Sequence, residues 1–186
     1  DTQRDALPIK VACVTDLDLW PDKAEYRDDN LIGFKEKKAP DPVRNKKGNL
    51  QYWLSTFDGD DEGLLARINK KLEFDGGNVK TFISDEWTFE FCLAKYGLAK
   101  EIYIAVKGSD EGFNDLSADE EEKAVQIYQL VEAQSSGKSD TRYALAEALS
   151  VYEGRHEELI EKLPPYIIKA IEYVTEPFPV NDEAED

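Results

Sequence analysis

Methionine is absent from this chain, histidine occurs once, at His156, and cysteine twice, at Cys13 and Cys92. The lone histidine sits among charged neighbours, which argues against a zinc centre built on imidazole and thiolate. Both cysteines fall inside apolar segments and read as buried core thiols rather than a disulfide or a metal pair. No apolar run reaches membrane length and no secretory signal is present, which points to a cytoplasmic protein with no membrane partner. Positive charge is scarce: 23 Lys and Arg stand against 40 Asp and Glu, for a formal charge of −17. That balance excludes a uniformly basic nucleic-acid-binding surface, although a local Lys/Arg patch can still contact phosphate. The start at Asp1, with no methionine anywhere, reads as a piece of a longer polypeptide.

What is present suffices for a folded domain. The 186 residues are 41% hydrophobic and 11% aromatic, so a real core forms despite 34% charged residues. The expected class is α/β, with an α/β core over residues 1–110, a helical extension over 111–178 and an acidic tail over 179–186.

The segment Ile9-Lys10-Val11-Ala12-Cys13-Val14-Thr15-Asp16-Leu17-Asp18 carries the most chemistry. It reads as a short buried strand running into two carboxylates, and ligand sites usually lie beyond the carboxyl ends of such strands. Carboxylates at i and i+2 repel each other unless a positive group stands between them. A divalent metal is the common solution, and Mg²⁺ prefers hard oxygen ligands. The plain alternative is a solvated Asp-rich turn.

Trp20-Pro21-Asp22 breaks this element, and a long polar insertion follows over residues 23–49. It holds Lys35, Lys37, Lys38, Arg44, Lys46 and Lys47, the most basic part of an acidic chain and the candidate DNA-contacting arm. Asp60 and Asp61 cap a helix over 62–72 with Leu64, Leu65, Ile68 and Leu72 on one face. Gly76-Gly77 turns the chain into a strand over 78–84, completing a parallel βαβ reading. Trp87 to Tyr96 reads as a helix ended by Gly97, and 101–106 as a short strand with helix as the alternative. Helices follow over 119–134, from about 139 to 152, and from Pro164-Pro165 to Thr175.

Two further segments bear on the site. Ser84-Asp85-Glu86-Trp87-Thr88-Phe89-Glu90 lies at the same sheet edge as Asp16 and Asp18, so Glu90 can aim a third carboxylate at the same metal. On the plain reading, Ser84 and Asp85 are caps and Glu90 is a surface charge. Gly137-Lys138-Ser139 fails as a phosphate loop, because Glu132 stands where that pattern needs glycine. Lys138 remains at a helix start, able to reach a phosphate if that end faces the metal.

Two frameworks fit Asp-x-Asp after a strand. Haloacid-dehalogenase-like phosphatases want Thr or Val two places beyond the second Asp, where this chain has Trp20. The other match is closer. Val14-Thr15-Asp16-Leu17-Asp18, then Val79 to Ser84, then Trp87-Thr88-Phe89-Glu90, resembles the Toprim nuclease domain of the OLD-family (overcoming lysogenization defect) ATP-dependent endonucleases. Gly137-Lys138-Ser139-Asp140 is similar to that family's lysine-bearing segment, so the resemblance covers about residues 7–150.

The resemblance implies a Toprim-like parallel sheet flanked by helices and a metal-dependent DNA endonuclease using two Mg²⁺ or Mn²⁺ ions. It implies Asp16, Asp18 and Glu90 as metal ligands, Asp16 and Lys138 as catalytic, and Thr88 and Ser84 in support. DNA is the implied partner, with a homodimer, an upstream domain that alone uses ATP, and a part in phage defence. The family's first strand bears a glutamate, and no glutamate precedes Val11 here. The chain is therefore expected to lack that strand and to be inactive alone. The alternatives are a phosphatase of the haloacid-dehalogenase type and a non-catalytic dimerisation or regulatory module.

Overall fold

The computed structural model describes residues 9–21, 24–27, 30–34, 43–44, 50–134 and 138–177. The first strand, β1 (Val11–Thr15), is followed by β2 (Leu19–Trp20), β3 (Ala24–Arg27), β4 (Asn30–Phe34), β5 (Val43–Arg44) and β6 (Leu50–Trp53). Next come α1 (Asp61–Lys71) and β7 (Val79–Ile83), then α2 (Phe89–Leu93), α3 (Ala99–Lys107), α4 (Glu120–Glu132), α5 (Lys138–Ala148), α6 (His156–Ile160) and α7 (Pro165–Thr175). The architecture is α/β, with small parallel pairings flanked by helices.

β1 and β7 pair in parallel from Val11 opposite Val79 to Thr15 opposite Ile83. α1 lies between them in sequence, as the βαβ reading expects. It forms there because Asp60 accepts a hydrogen bond from the Gly63 N–H at 3.0 Å. Asp61 and Glu62 in its first turn and Lys70 and Lys71 in its last also suit the helix dipole. Its apolar face is less buried than the spacing predicts, with Leu65 54% exposed.

A second sheet runs β2-β6-β5, with β2 parallel and β5 antiparallel to β6. β3 and β4 form an antiparallel pair with a register shift at Glu25/Tyr26. The stretch 23–49, expected as a polar insertion, therefore contains strands. Trp20-Pro21 likewise belongs partly to a strand rather than only to a break.

β1 departs from its expected burial. Val11 is 44% and Val14 45% exposed, and Cys13 is exposed while Cys92 is buried. The reason is coverage: among the described residues β1 pairs only with β7, and α7 packs against the two strands. Val, Ile and Cys content alone does not say how many layers arrive to cover a strand.

The core lies elsewhere, around α2, α3 and α4. Phe91, Leu98, Ile102, Val125 and Ile127 are essentially inaccessible, each contributing roughly 1.5–3 kcal/mol by burial. Trp20 packs edge-on to Trp53 at 5.1 Å, and Trp87 meets Tyr128 at a tilt of 47° with ring centroids 4.0 Å apart. Residues 101–106 are helical, not a strand: α3 buries Ile102 and Tyr103 on one side. Gly97 ends the preceding helix as expected: its φ of 129° is non-helical and kinks the chain within Ala94–Leu98, between α2 and α3. The short α6 was not anticipated.

Candidate functional site

The loop after β1 is stitched to the loop after β7. The Ser84 N–H donates to the Thr15 carbonyl at 2.9 Å, and the Leu17 N–H donates to Ser84 Oγ at 2.8 Å. Ser84 in turn donates to the Glu86 carbonyl at 2.6 Å, and the Asp18 N–H donates to the Trp87 carbonyl at 3.0 Å. Buried at 2% exposure, Ser84 is thus a bracket between the two strand ends rather than a helix cap.

The cap of α2 is Thr88, whose hydroxyl accepts from the Phe91 N–H at 3.3 Å. The next free donor of that first turn, the Phe89 N–H, goes to Asp16 Oδ1 at 2.8 Å. Glu90 follows, a carboxylate in the first turn of a helix, where the exposed N–H dipoles favour it. It is only 6% exposed, so it is not a surface charge. Asp85 and Glu86 take other partners: Tyr96 donates to Asp85 at 2.9 Å, and Lys95 pairs with Glu86.

A cleft of about 460 Å³ opens at this edge. Asp16, Asp18 and Glu90 line it together with Val14, Phe89 and Arg142. Three carboxylates expected to share a site thus share one cleft wall. Arg142 comes from α5 and places a guanidinium nitrogen 3.4 Å from Glu90 Oε1, while its own side chain stays 63% exposed. α5 begins at Lys138, one helical turn before Arg142; the Lys138 side chain lies outside the described residues. So do the side chains of Lys35, Lys37, Lys38, Arg44, Lys46 and Lys47.

Asp18 is held differently. Its backbone takes φ +60°, a left-handed conformation that Asp tolerates better than most residues. From α1, Arg67 donates to the Leu17 carbonyl at 3.2 Å and to the Asp18 carbonyl at 3.3 Å, and Lys71 Nζ lies 2.8 Å from Asp18 Oδ2. Lys71, Arg67 and Arg142 were not singled out from sequence. For Arg142 a signal existed, since position i+4 from Lys138 shares its helix face. Nothing local foretold that α1 grips the 17–18 loop.

The donor set is all carboxylate oxygen, the chemistry a hard divalent cation prefers. Glu90 also carries a nearly buried charge whose one described counter-ion is long and largely hydrated, a situation that a cation would relieve. The types fit; the positions are not closed. Among the described residues no three His, Cys, Asp or Glu side chains converge as a ready ligand set. Asp18, for its part, is paired with Lys71.

Two tyrosines add to the local field. Burial, chiefly, pushes the Tyr128 hydroxyl well above its ordinary range, with Glu132, Glu90 and Asp16 adding to it. Burial does the same to Tyr166, helped by Cys92, Asp16, Asp85 and Glu90. Both phenols therefore stay neutral beside the carboxylates. A separate groove of about 550 Å³ lies on the α7 side, with Lys80 Nζ 5.5 Å from the Phe82 ring and 5.7 Å from that of Tyr173. No described helix is long and apolar enough to cross a membrane. No family model, curated protein or solved structure matches the chain.

Proposed function

We propose that this chain carries the cation-binding face of a metal-dependent DNA endonuclease, similar to the Toprim domain of OLD-family ATP-dependent endonucleases. The observation that carries the reading is the meeting of Asp16, Asp18 and Glu90, from two distant segments, on one cleft at the carboxyl end of paired parallel strands. A structural turn has no need to draw a buried glutamate from the following helix into the same wall.

In this reading Asp16, Asp18 and Glu90 hold Mg²⁺ or Mn²⁺, which supplies water activation and charge stabilisation at the leaving oxygen. The chain's own residues do the positioning. Thr88 fixes the first turn of α2 and with it Glu90; Ser84 fixes the backbone of the 16–18 loop. Arg142, its side chain 63% exposed, offers a planar fork to phosphate oxygens. Lys138, at the start of the same helix, is assigned to charge stabilisation during phosphodiester cleavage. Among the described residues β1 pairs on one side only, which suits a further strand bearing the glutamate that the resemblance calls for. An ATPase domain upstream and a homodimer complete the proposal.

The test is plasmid cleavage with Mg²⁺ or Mn²⁺, comparing the chain, an upstream-extended parent and Asp16→Ala in both. Cleavage by the parent that Asp16→Ala abolishes is the expected result. A parent that is silent with every divalent metal overturns the nuclease reading in favour of a phosphatase or a non-catalytic module.

A further inference from the structure

One carboxylate of the cleft, Asp18, already pairs with a cation of the chain, Lys71 of α1. Lys71 Nζ sits 2.8 Å from Asp18 Oδ2, with the lysine side chain 20% and the aspartate 57% exposed. We propose that Lys71 is a built-in competitor for the divalent cation at Asp18, holding that carboxylate out of the ligand set until a metal ion displaces it. The inference rests on the cation-binding reading of the cleft.

Three observations support it. First, the backbone around Asp18 has little left to move. Its N–H is held by the Trp87 carbonyl and its own carbonyl by Arg67, while the Leu17 N–H is held by Ser84. Exchange of Asp18 between Lys71 and the cleft is therefore a matter of side-chain torsions, with the strained φ of +60° already set in the partner-bound form.

Second, Lys71 has somewhere to go. It belongs to the last turn of α1, where the helix dipole favours positive charge, so release from Asp18 does not strand it. Third, the pair is weak enough to yield. A partly hydrated Lys–Asp pair contributes about a fivefold equilibrium factor at most, whereas a divalent ion bridging two or three carboxylates interacts with all of them at once. An ammonium satisfies one carboxylate and leaves the repulsion between the others in place. A +2 ion does not. Lys71 accordingly acts as a positioning residue, setting the threshold at which the third ligand joins.

The experiment is Mn²⁺ binding, followed by the electron paramagnetic resonance signal of free Mn²⁺, with the unaltered chain, Lys71→Met and Lys70→Met. Lys70 is an exposed neighbour on the same helix turn, so its loss removes the same charge without freeing Asp18. Expected is a threefold to fivefold tighter Kd for Lys71→Met, a change under about twofold for Lys70→Met, which removes only a screened charge, and no effect of Lys71→Met in an Asp18→Asn background. Equal shifts for the two lysine variants, or a gain that persists with Asp18→Asn, overturn the competitor role and leave the cation-binding reading standing. Absence of Mn²⁺ binding at millimolar concentration by all these proteins overturns both.

Discussion

The carboxylate of Asp16 accepts a hydrogen bond from the backbone N–H of Phe89 at 2.8 Å, so the residue after β1 serves as an external cap for α2. This one bond couples the end of a strand to the start of the helix that bears Glu90. Asp16 also lines the cleft, so a structural and a proposed ligand role meet in one side chain.

The two roles separate by substitution. Asp16→Asn keeps an acceptor for the Phe89 N–H, and its stability should stay within about 0.5 kcal/mol of the parent. Asp16→Ala leaves a first-turn donor without its cap and should cost about 1–2 kcal/mol. Urea unfolding measures the difference. Identical midpoints for Asn and Ala would mean that the bond contributes nothing to the fold.

Arg142 and Glu90 face each other across 3.4 Å, yet they should fail in different ways. An arginine this hydrated contributes little to stability, so Arg142→Ala should change it by less than about 0.5 kcal/mol. Its effect belongs in weaker binding of a DNA duplex, with a shallower salt dependence. Glu90→Gln should instead weaken Mn²⁺ binding. Parallel titrations of both ligands with both variants test this division of labour; the same pattern of loss in each would refute it.

Alkaline pH should destabilise the protein early. Burial pushes the Cys92 thiol from its ordinary 9.0 up to about 12, and burial with Asp85 pushes Tyr96 from 10.0 to about 12. Tyr128 and Tyr166 move in the same direction. For each, the folded state holds its proton while the unfolded chain releases it. This contribution is complete below the ordinary value and declines as pH climbs through the window up to the raised one. Denaturant midpoints should therefore fall steadily from about pH 9 upward. At pH 8, one thiol, that of the exposed Cys13, should react with an alkylating reagent, and Cys92 only after unfolding. Two thiols labelling at equal rates in the native protein would contradict the burial.

Much of the layout was legible because the signals were local. Asp60 as a cap, Leu64, Leu65, Ile68 and Leu72 at helical spacing, and Gly76-Gly77 before an apolar run give β1, α1 and β7 their order and direction. Pro165 opens a helix for an equally local reason, whereas α2 is capped by Thr88 and not by Ser84 or Asp85. Residues 101–106 misled because Ile102, Tyr103, Ile104 and Val106 favour strands by shape, whereas packing against α4 and α5 makes the segment helical. Gly97, at φ 129°, marks the break before α3 as its residue type suggests. The site shows the same division. Asp16, Asp18 and Glu90 stand at recognisable distances from strand ends; Lys71 and Arg67 reach Asp18 and Leu17 across about fifty positions, a pairing that no spacing rule encodes.

The sparse covering of β1 and β7 has a consequence for how the cleft lives and fails. Two parallel strands do not persist by themselves in water, and these have α7 laid against both, with Lys10 beside β1 donating to the Glu176 carbonyl at 2.8 Å just past that helix. The sheet and the last described helix should therefore open and close together, and the carboxylate edge with them. A ligand that clamps the cleft stabilises the closed form of that whole unit, so slower amide exchange reaches as far as Thr175 without any contact there.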